Sequence, residues 1–287
     1  MAHGVHVGSA EPDLRERLLG WCEVLPDSAV LTHLTAAEAR GWWLPSSVPH
    51  PVLASVDERE RHPQRRGLKV VRLAAPPAYE EVDGLRLATP AETLLACAAD
   101  LHVLDLVPLG DSALRLGHCT LDELWDATGA RRRGTPLLRA VLPLLDARSE
   151  SAWESVLRVL HRTADVEVEP QREIWTTHGT FVARADLWLV GTRRIHEYDG
   201  ADHREAETHR TDLARERRLV DEGWERCGYT AREVLRRGGD VIAAADAALG
   251  RPWVPARLDA WRSLVALSLY GSTGRQRALR RWSSANR

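Results

Sequence analysis

Between Ser151 and Tyr229 the apolar residues switch from a helical to a strand period and back, and this alternation constrains the fold more than any other feature of the chain. Ser151-Ala-Trp-Glu154 sets an N-cap serine three residues before a glutamate, the capping-box pattern that opens a helix. Trp153, Val156, Leu157 and Leu160 then form its apolar stripe, with Glu150, Glu154, Arg158 and His161 on another face. Residues 166–175 and 180–190 read as strands joined through Thr176-Thr177-His178-Gly179, and 194–199 reads as a third strand ending at Gly200. A polar helix over 205–222 and a strand over 224–229 complete the order helix, strand, strand, strand, helix, strand. That order is a small α/β unit.

Upstream the pattern is different. A short helix is expected over 12–25, and Thr35-Ala-Ala-Glu38 predicts a brief helical turn ending at Gly41. Short apolar groups (Val52-Leu53, Val70-Val71, Leu85 and Leu87) predict short strands. Thr89-Pro90-Ala91-Glu92, Thr120-Leu-Asp-Glu123 and Thr135-Pro136 each signal a helix start, so three helices are expected across 89–145. The expected division is a mixed α+β/helical domain over 1–146, an α/β domain over 147–235, and a helical, arginine-rich extension over 236–287. Val234–Leu249, across the start of that extension, reads as helical, and 257–287 as one helix with a frayed tail.

A chain of 287 residues, 44% of them hydrophobic, is long enough for two compact units. A net charge of −2 excludes a global basic field, so any binding of nucleic acid must use local patches. One such patch is the C-terminal end, where Arg262, Arg275, Arg277, Arg280, Arg281 and Arg287 occur without an acid. Lys69 is the only lysine. The four cysteines form no CxxC pair, which argues against a zinc ribbon and fits a reducing cytoplasm. No signal-peptide pattern and no long apolar span is present, so a cytoplasmic, non-membrane protein is expected.

Asp186 falls in the strand Arg184-Ala-Asp-Leu-Trp188, and Glu197 and Asp199 alternate on the following strand, so both project from one face. The short turn Gly191-Thr192-Arg193 makes the two strands neighbours. Carboxylates converging from adjacent strands suit Mg²⁺ or Mn²⁺, a hard ion that can neutralise phosphate charge and activate water. Each acid also has a structural reading. Asp186 can pair with Arg184, Asp199 can be a turn residue before Gly200, and Glu154 can serve only its capping box.

The segments SESAWESVLR, EPQREI, RADLWLVGTRRIHEYDGADH and TDLARERRLVDEGWERCGYT together resemble the very-short-patch-repair-like (Vsr-like) endonuclease family known as domain of unknown function 559. That family lies within the restriction-endonuclease-like PD-(D/E)XK superfamily. The resemblance implies a central mixed sheet flanked by helices, and a metal-dependent endonuclease or nickase acting on DNA in repair or in defence against phage and mobile elements. It implies metal binding at Asp186 and Glu197, with Glu154 beside them. Gln171, Arg184, Asp199, His203, Asp212 and Arg215 become neighbours that orient water, metal or phosphate, and His203 or Asp199 is the candidate proton carrier. Asp199 occupies the position of the superfamily lysine. His203 also reads as a loop histidine, and Asp212 with Arg215 as a surface pair on a helix.

Two other signals lie upstream. Gly110-Asp-Ser-Ala-Leu114 matches the GDSL signature of serine esterases, but Ser112 falls in a helical stretch rather than after an N-terminal strand. Leu31–Pro45, Asp83-Gly84-Leu85, Thr89–Leu95 and Gly110–Gly117 resemble proteins grouped with AbiEi-like type IV antitoxins. That resemblance implies the alternative function, a non-catalytic DNA-binding transcriptional regulator that keeps a nuclease-like fold, with a cognate toxin as partner.

Overall fold

The computed structural model describes residues 12–45, 48–129, 131–200 and 215–283. The chain is α/β, with mixed sheets flanked by helices. It divides into two compact units, Met1–Leu145 with Ala266–Arg287, and Asp146–Val265. The segment 236–287, expected as one extension, is shared between them: 236–265 belongs to the second unit and 266–287 to the first.

In the first unit, α1 (Leu14–Cys22) precedes β1 (Val30–Leu31), α2 (His33–Ala39), β2 (Val52–Asp57), β3 (Leu68–Leu73), β4 (Tyr79–Val82) and β5 (Leu85–Ala88). The strands form a five-stranded mixed sheet in the order β3-β2-β1-β5-β4. Asp83 and Gly84, with φ of 51° and 80°, make the tight turn between β4 and β5; consecutive left-handed residues match the twist of a hairpin. Leu18, Leu31, Val56, Val70 and Leu87 lie at the centre of this unit's core. The N-cap of α2 is Thr32, not Thr35, whose hydroxyl instead accepts the Leu53 amide at 2.9 Å.

The described residues of 90–141 hold four α-helices where three were expected: α3 (Pro90–Asp100), α4 (Val103–Arg115), α5 (Leu121–Ala127) and α6 (Thr135–Val141). The helix expected from Thr89 is two, α3 and α4, broken at Leu101-His102, and α4 runs on through Pro108 and Gly110 because packing of its buried face outweighs their poor propensity. Ser112 is buried inside α4, and its Oγ accepts the Trp43 amide at 3.2 Å.

The second unit begins with α7 (Ala152–Thr163), followed by β6 (Val168–Trp175), β7 (Phe181–Leu189) and β8 (Arg194–Tyr198). Next come α8, described over 215–221, and β9 (Glu225–Tyr229). The sheet order is β6-β7-β8-β9, antiparallel at the first two junctions and parallel between β8 and β9. Along β7, Ala183, Ala185, Leu187 and Leu189 are buried, while Arg184, Asp186 and Trp188 take the alternate positions. The second face of α7 is buried too: Glu154, Arg158 and His161 are buried along with the apolar stripe.

Two single-helix expectations are also corrected. Val234–Leu249 is α9 (Ala231–Arg236) and α10 (Gly238–Ala248), broken at Arg237, and the last segment is α11 (Asp259–Leu267) and α12 (Ser272–Ser283). Among the described residues no helix is long and apolar enough to cross a membrane.

Candidate acidic site on the second sheet

The β7–β8 ladder pairs Leu187 with His196 and Trp188 with Ile195. Continuing that register by one residue sets Asp186 opposite Glu197, and antiparallel partners share a face. The Tyr198 amide donates to Asp186 Oδ2 at 2.9 Å, which orients the carboxyl; among the described residues Oδ1 has no hydrogen-bond partner. Burial, and then the charges of Glu154 and Glu197, raise the Asp186 pKa to about 7. The three carboxyl groups are therefore close enough to oppose one another's ionisation.

Glu154 both caps and converges. Its backbone amide donates to Ser151 Oγ at 3.1 Å, completing the N-cap of α7. Its side-chain Oε2 accepts the Glu150 amide and the Gln171 Nε2, each at 2.8 Å. Burial pushes the Glu154 pKa up against those hydrogen bonds. Gln171 has φ of 56°, left-handed in the middle of a strand, and the ladder steps from Pro170↔Leu187 to Arg172↔Ala185 around it. A left-handed non-glycine residue costs about 1–2 kcal/mol, and such strain concentrates at sites that need a side chain in one position. Here it directs the amide to Glu154.

Glu197 is 3% exposed and held from two sides. Arg215, at the start of the described part of α8, reaches Oε1 at 2.5 Å, and Arg226 on β9 reaches Oε2 at 2.5 Å. The other end of the Arg226 guanidinium binds Asp199 Oδ1 at 2.6 Å. Partial burial would lower the Arg226 pKa, but its bonds to Glu197 and the charge of Asp199 raise it. One arginine thus spans both acids of Glu197-Tyr198-Asp199, a fork that a lysine could not provide. Arg226 was not among the expected site residues.

The space for Asp199 comes from Gly228, where a Cβ would overlap the carboxylate. In the parallel register Gly228 lies beside Glu197 and Arg226 beside Ile195, so Arg226 shares the Glu197 face. Arg184 does not pair with Asp186: its guanidinium binds Glu150 at 2.6 Å, and its carbonyl accepts from Arg215. His203 and Asp212 lie outside the described residues; of the two candidate proton carriers Asp199 is described, and its Oδ1 accepts from Arg226.

Residue alternation puts His196 on the opposite face of β8, against α7. His161 Nε2 lies 2.8 Å from His196 Nδ1, and the Tyr229 hydroxyl is 3.5 Å from His196 Nε2. This buried chain was missed because both histidines read as ordinary polar positions of a helix and a strand. Among the described residues no group of three or more His, Cys, Asp or Glu side chains is set to hold a metal ion. The donors that fit one best are Asp186, through its unpartnered oxygen, and Glu154; Mg²⁺ is commonly held by one or two carboxylates, with water completing its shell.

No family model and no solved structure matches the chain. It is 27% identical over 245 residues to two proteins of Mycobacterium tuberculosis, uncharacterized protein MT2308 of strain CDC 1551 / Oshkosh and uncharacterized protein Rv2248 of strain ATCC 25618 / H37Rv. Each alignment covers 84% of this chain and 88% of the relative, so the similarity extends across both units, and neither name carries an activity.

Proposed function

We propose that the second unit is a Mg²⁺- or Mn²⁺-dependent endonuclease or nickase of DNA, acting in the cytoplasm. The observation that carries this reading is buried Asp186 flanked by the charges of Glu154 on α7 and Glu197 on β8, with one Asp186 oxygen unpartnered among the described residues. Glu154 and Asp186 have no ion-pair partner among the described residues, so once ionised they would repel a phosphodiester unless a cation lay between. The Vsr-like sequence resemblance supports the same reading. A bound Mg²⁺ would supply positive charge at a non-bridging phosphate oxygen and acidify a water ligand.

The chain's own residues prepare the site. The Tyr198 amide fixes Asp186, and Gln171 fixes Glu154, so neither carboxylate has to be ordered when substrate arrives. Arg215 and Arg226 balance Glu197 and Asp199, supplying the positive charge that the superfamily lysine would otherwise bring.

Those arginines also favour a second reading. With Glu197 and Asp199 already neutralised, the fold can serve as a non-catalytic DNA-binding regulator of the AbiEi-like kind, with a toxin as partner.

Plasmid and short-duplex cleavage by the full chain with Mg²⁺ or Mn²⁺ separates the two. The nuclease reading expects cleavage by wild type and a loss of roughly 100-fold or more in Asp186→Asn and Glu154→Gln, with unfolding unchanged or improved in the former because a buried charge is removed. Salt-sensitive DNA binding with no cleavage by wild type would sink it and favour the regulator.

A further inference from the structure

The first unit contains a cavity of about 280 Å³, between the edge of its sheet and α3, that no part of the nuclease reading uses. Its apolar wall comes from Val71, Leu73, Pro77, Leu95 and Ala99. Thr32, His33, Ser55 and Asp100 line it with polar groups, and Arg132 and Arg133 contribute side chains from the turn before α6. That turn is tied down, because Gly134 approaches the α3 backbone at Leu95 and Ala99 so closely that a Cβ would collide.

Both acids that line the cavity are already paired. Arg132 forms a two-pronged pair with Glu92, at 2.5 and 2.6 Å. Arg281 binds Asp100 at 2.9 Å. Arg133 has no hydrogen-bonding or ion-pair partner among the described residues, which leaves one guanidinium over. The chemistry of a bidentate donor suits a carboxylate.

A second polar group is also held ready. His33 is 8% exposed with φ of 52°, a left-handed backbone at the first residue of α2. Its Nδ1 lies 2.8 Å from Thr32 Oγ1, while Nε2 is 3.8 Å from Asp100 Oδ2, too long for a hydrogen bond. Among the described residues Nε2 therefore lacks a hydrogen-bond partner, on a ring that burial disposes to neutrality. Ser55 is 1% exposed, and its Oγ makes only a long 3.4 Å contact to the Val30 carbonyl. An apolar cavity with a few convergent polar groups is the form of a small-ligand site.

We infer that this cavity binds a small organic monoanion, a single ring or short branched chain carrying one carboxylate, with the carboxylate on Arg133 and the apolar body among Val71, Leu73 and Leu95. The volume lies just below the roughly 300–1,000 Å³ typical of drug-sized ligands, which excludes a nucleotide. A phosphate dianion would need more than one uncommitted cation. A neutral hydrocarbon would leave Arg133 and His33 unused.

Isothermal titration of the full chain with benzoate, isovalerate and benzamide tests the assignment. The expected result is saturable one-to-one binding of at least one carboxylate, weakened roughly tenfold or more when the carboxylate becomes the amide and in Arg133→Gln. Arg133 is exposed, so Arg133→Gln should melt with wild type and report on the ligand alone. Ala99→Leu, which narrows the cavity without touching a charge, should also abolish binding. No saturable heat from either carboxylate up to millimolar concentration, equal affinity for benzamide, or undiminished binding by Arg133→Gln or by a folded Ala99→Leu overturns the inference. Because cavity and acidic site belong to different units, DNA cleavage by Arg133→Gln equal to wild type is expected whichever way the binding result falls.

Discussion

His161 Nε2 lies 2.8 Å from His196 Nδ1, with both rings closed off from solvent. The protons on this pair follow from its neighbours. His161 Nδ1 is 2.8 Å from the Leu157 carbonyl, which can only accept, so Nδ1 carries the hydrogen and Nε2 offers a lone pair. His196 must then donate from Nδ1, which leaves its Nε2 to face the Tyr229 hydroxyl. Both imidazoles are neutral in this arrangement.

Protonating His161 would set two donors against each other in a dry site, and burial lowers its pKa to about 4. Because the folded value lies below the ordinary histidine value of about 6.5, the unfolded chain binds the proton first as pH falls. The stabilisation is fully present above about pH 6.5 and is lost progressively towards pH 4, amounting to about 3 kcal/mol. Urea unfolding of the second unit across that window should show the loss. His161→Gln keeps an acceptor for His196 but does not titrate, so its stability should fall less steeply. Parallel pH profiles for the two proteins would refute the assignment.

Arg226 balances the charge of two acids at once. Arg226→Gln leaves Glu197, almost fully buried, with Arg215 alone, and leaves Asp199 without its ion pair. Arg226 retains some exposure, so the expected cost is about 2–3 kcal/mol, below that of a fully buried pair. Arg226→Lys should recover less than half of it, since an ammonium cannot span both carboxylates in the same way. Denaturant midpoints for the three proteins decide this, and a wild-type midpoint for Arg226→Gln would show that the pair contributes nothing.

The contrast between Asp186 and Arg226 shows which part of the site was legible. Asp186 and Glu197 flank a short turn, so period-two alternation and strand adjacency are enough to bring them together. Arg226 meets Glu197 through the parallel register of β8 and β9, across the helix and loop between them, and no local pattern encodes a parallel register. Burial of Arg158 and His161 was hidden for a related reason. A charged helix face reads as solvated, but α7 packs against α9 as well as against the sheet. In the first unit Thr35-Ala-Ala-Glu38 has the letters of a capping box, yet β1 ends at Leu31 and delivers the chain to α2 early. Helix starts at Thr89, Thr120 and Ser151 were legible because hydroxyl and glutamate lie within one turn, and each of these three hydroxyls accepts from the amide of the glutamate three residues on.

Gly228 makes room for Asp199, and this gives a probe of the site that leaves every charge in place. In Gly228→Ala the new methyl must displace the Asp199 carboxylate, which breaks its bond to Arg226 while leaving the Arg226–Glu197 bond. The expected destabilisation is about 1–3 kcal/mol. Combining it with Asp199→Asn should add little, because both changes remove the same bond, whereas independent changes would sum. Additive losses in the double variant would show that Gly228 serves the backbone of β9 instead.

Asp105 plays an architectural part in the first unit that can be tested separately. It is 1% exposed, and its two oxygens accept the Leu269 amide at 2.9 Å and the His102 amide at 3.0 Å. The first bond holds the returning C-terminal segment to α4, and the second caps α4 itself. Burial raises the Asp105 pKa to about 7, against the two amide hydrogen bonds, which favour the ionised form. Asp105→Ala leaves two amides without an acceptor, at an expected cost of about 2–4 kcal/mol. Hydrogen exchange locates the effect: the Leu269 amide should lose protection most, followed by the first turn of α4, while β6–β9 of the other unit stay as protected as in wild type. Protection at Leu269 equal to wild type would mean that residues 266–287 are held by apolar contacts such as those of Leu269 and Trp282, and that Asp105 does not anchor them.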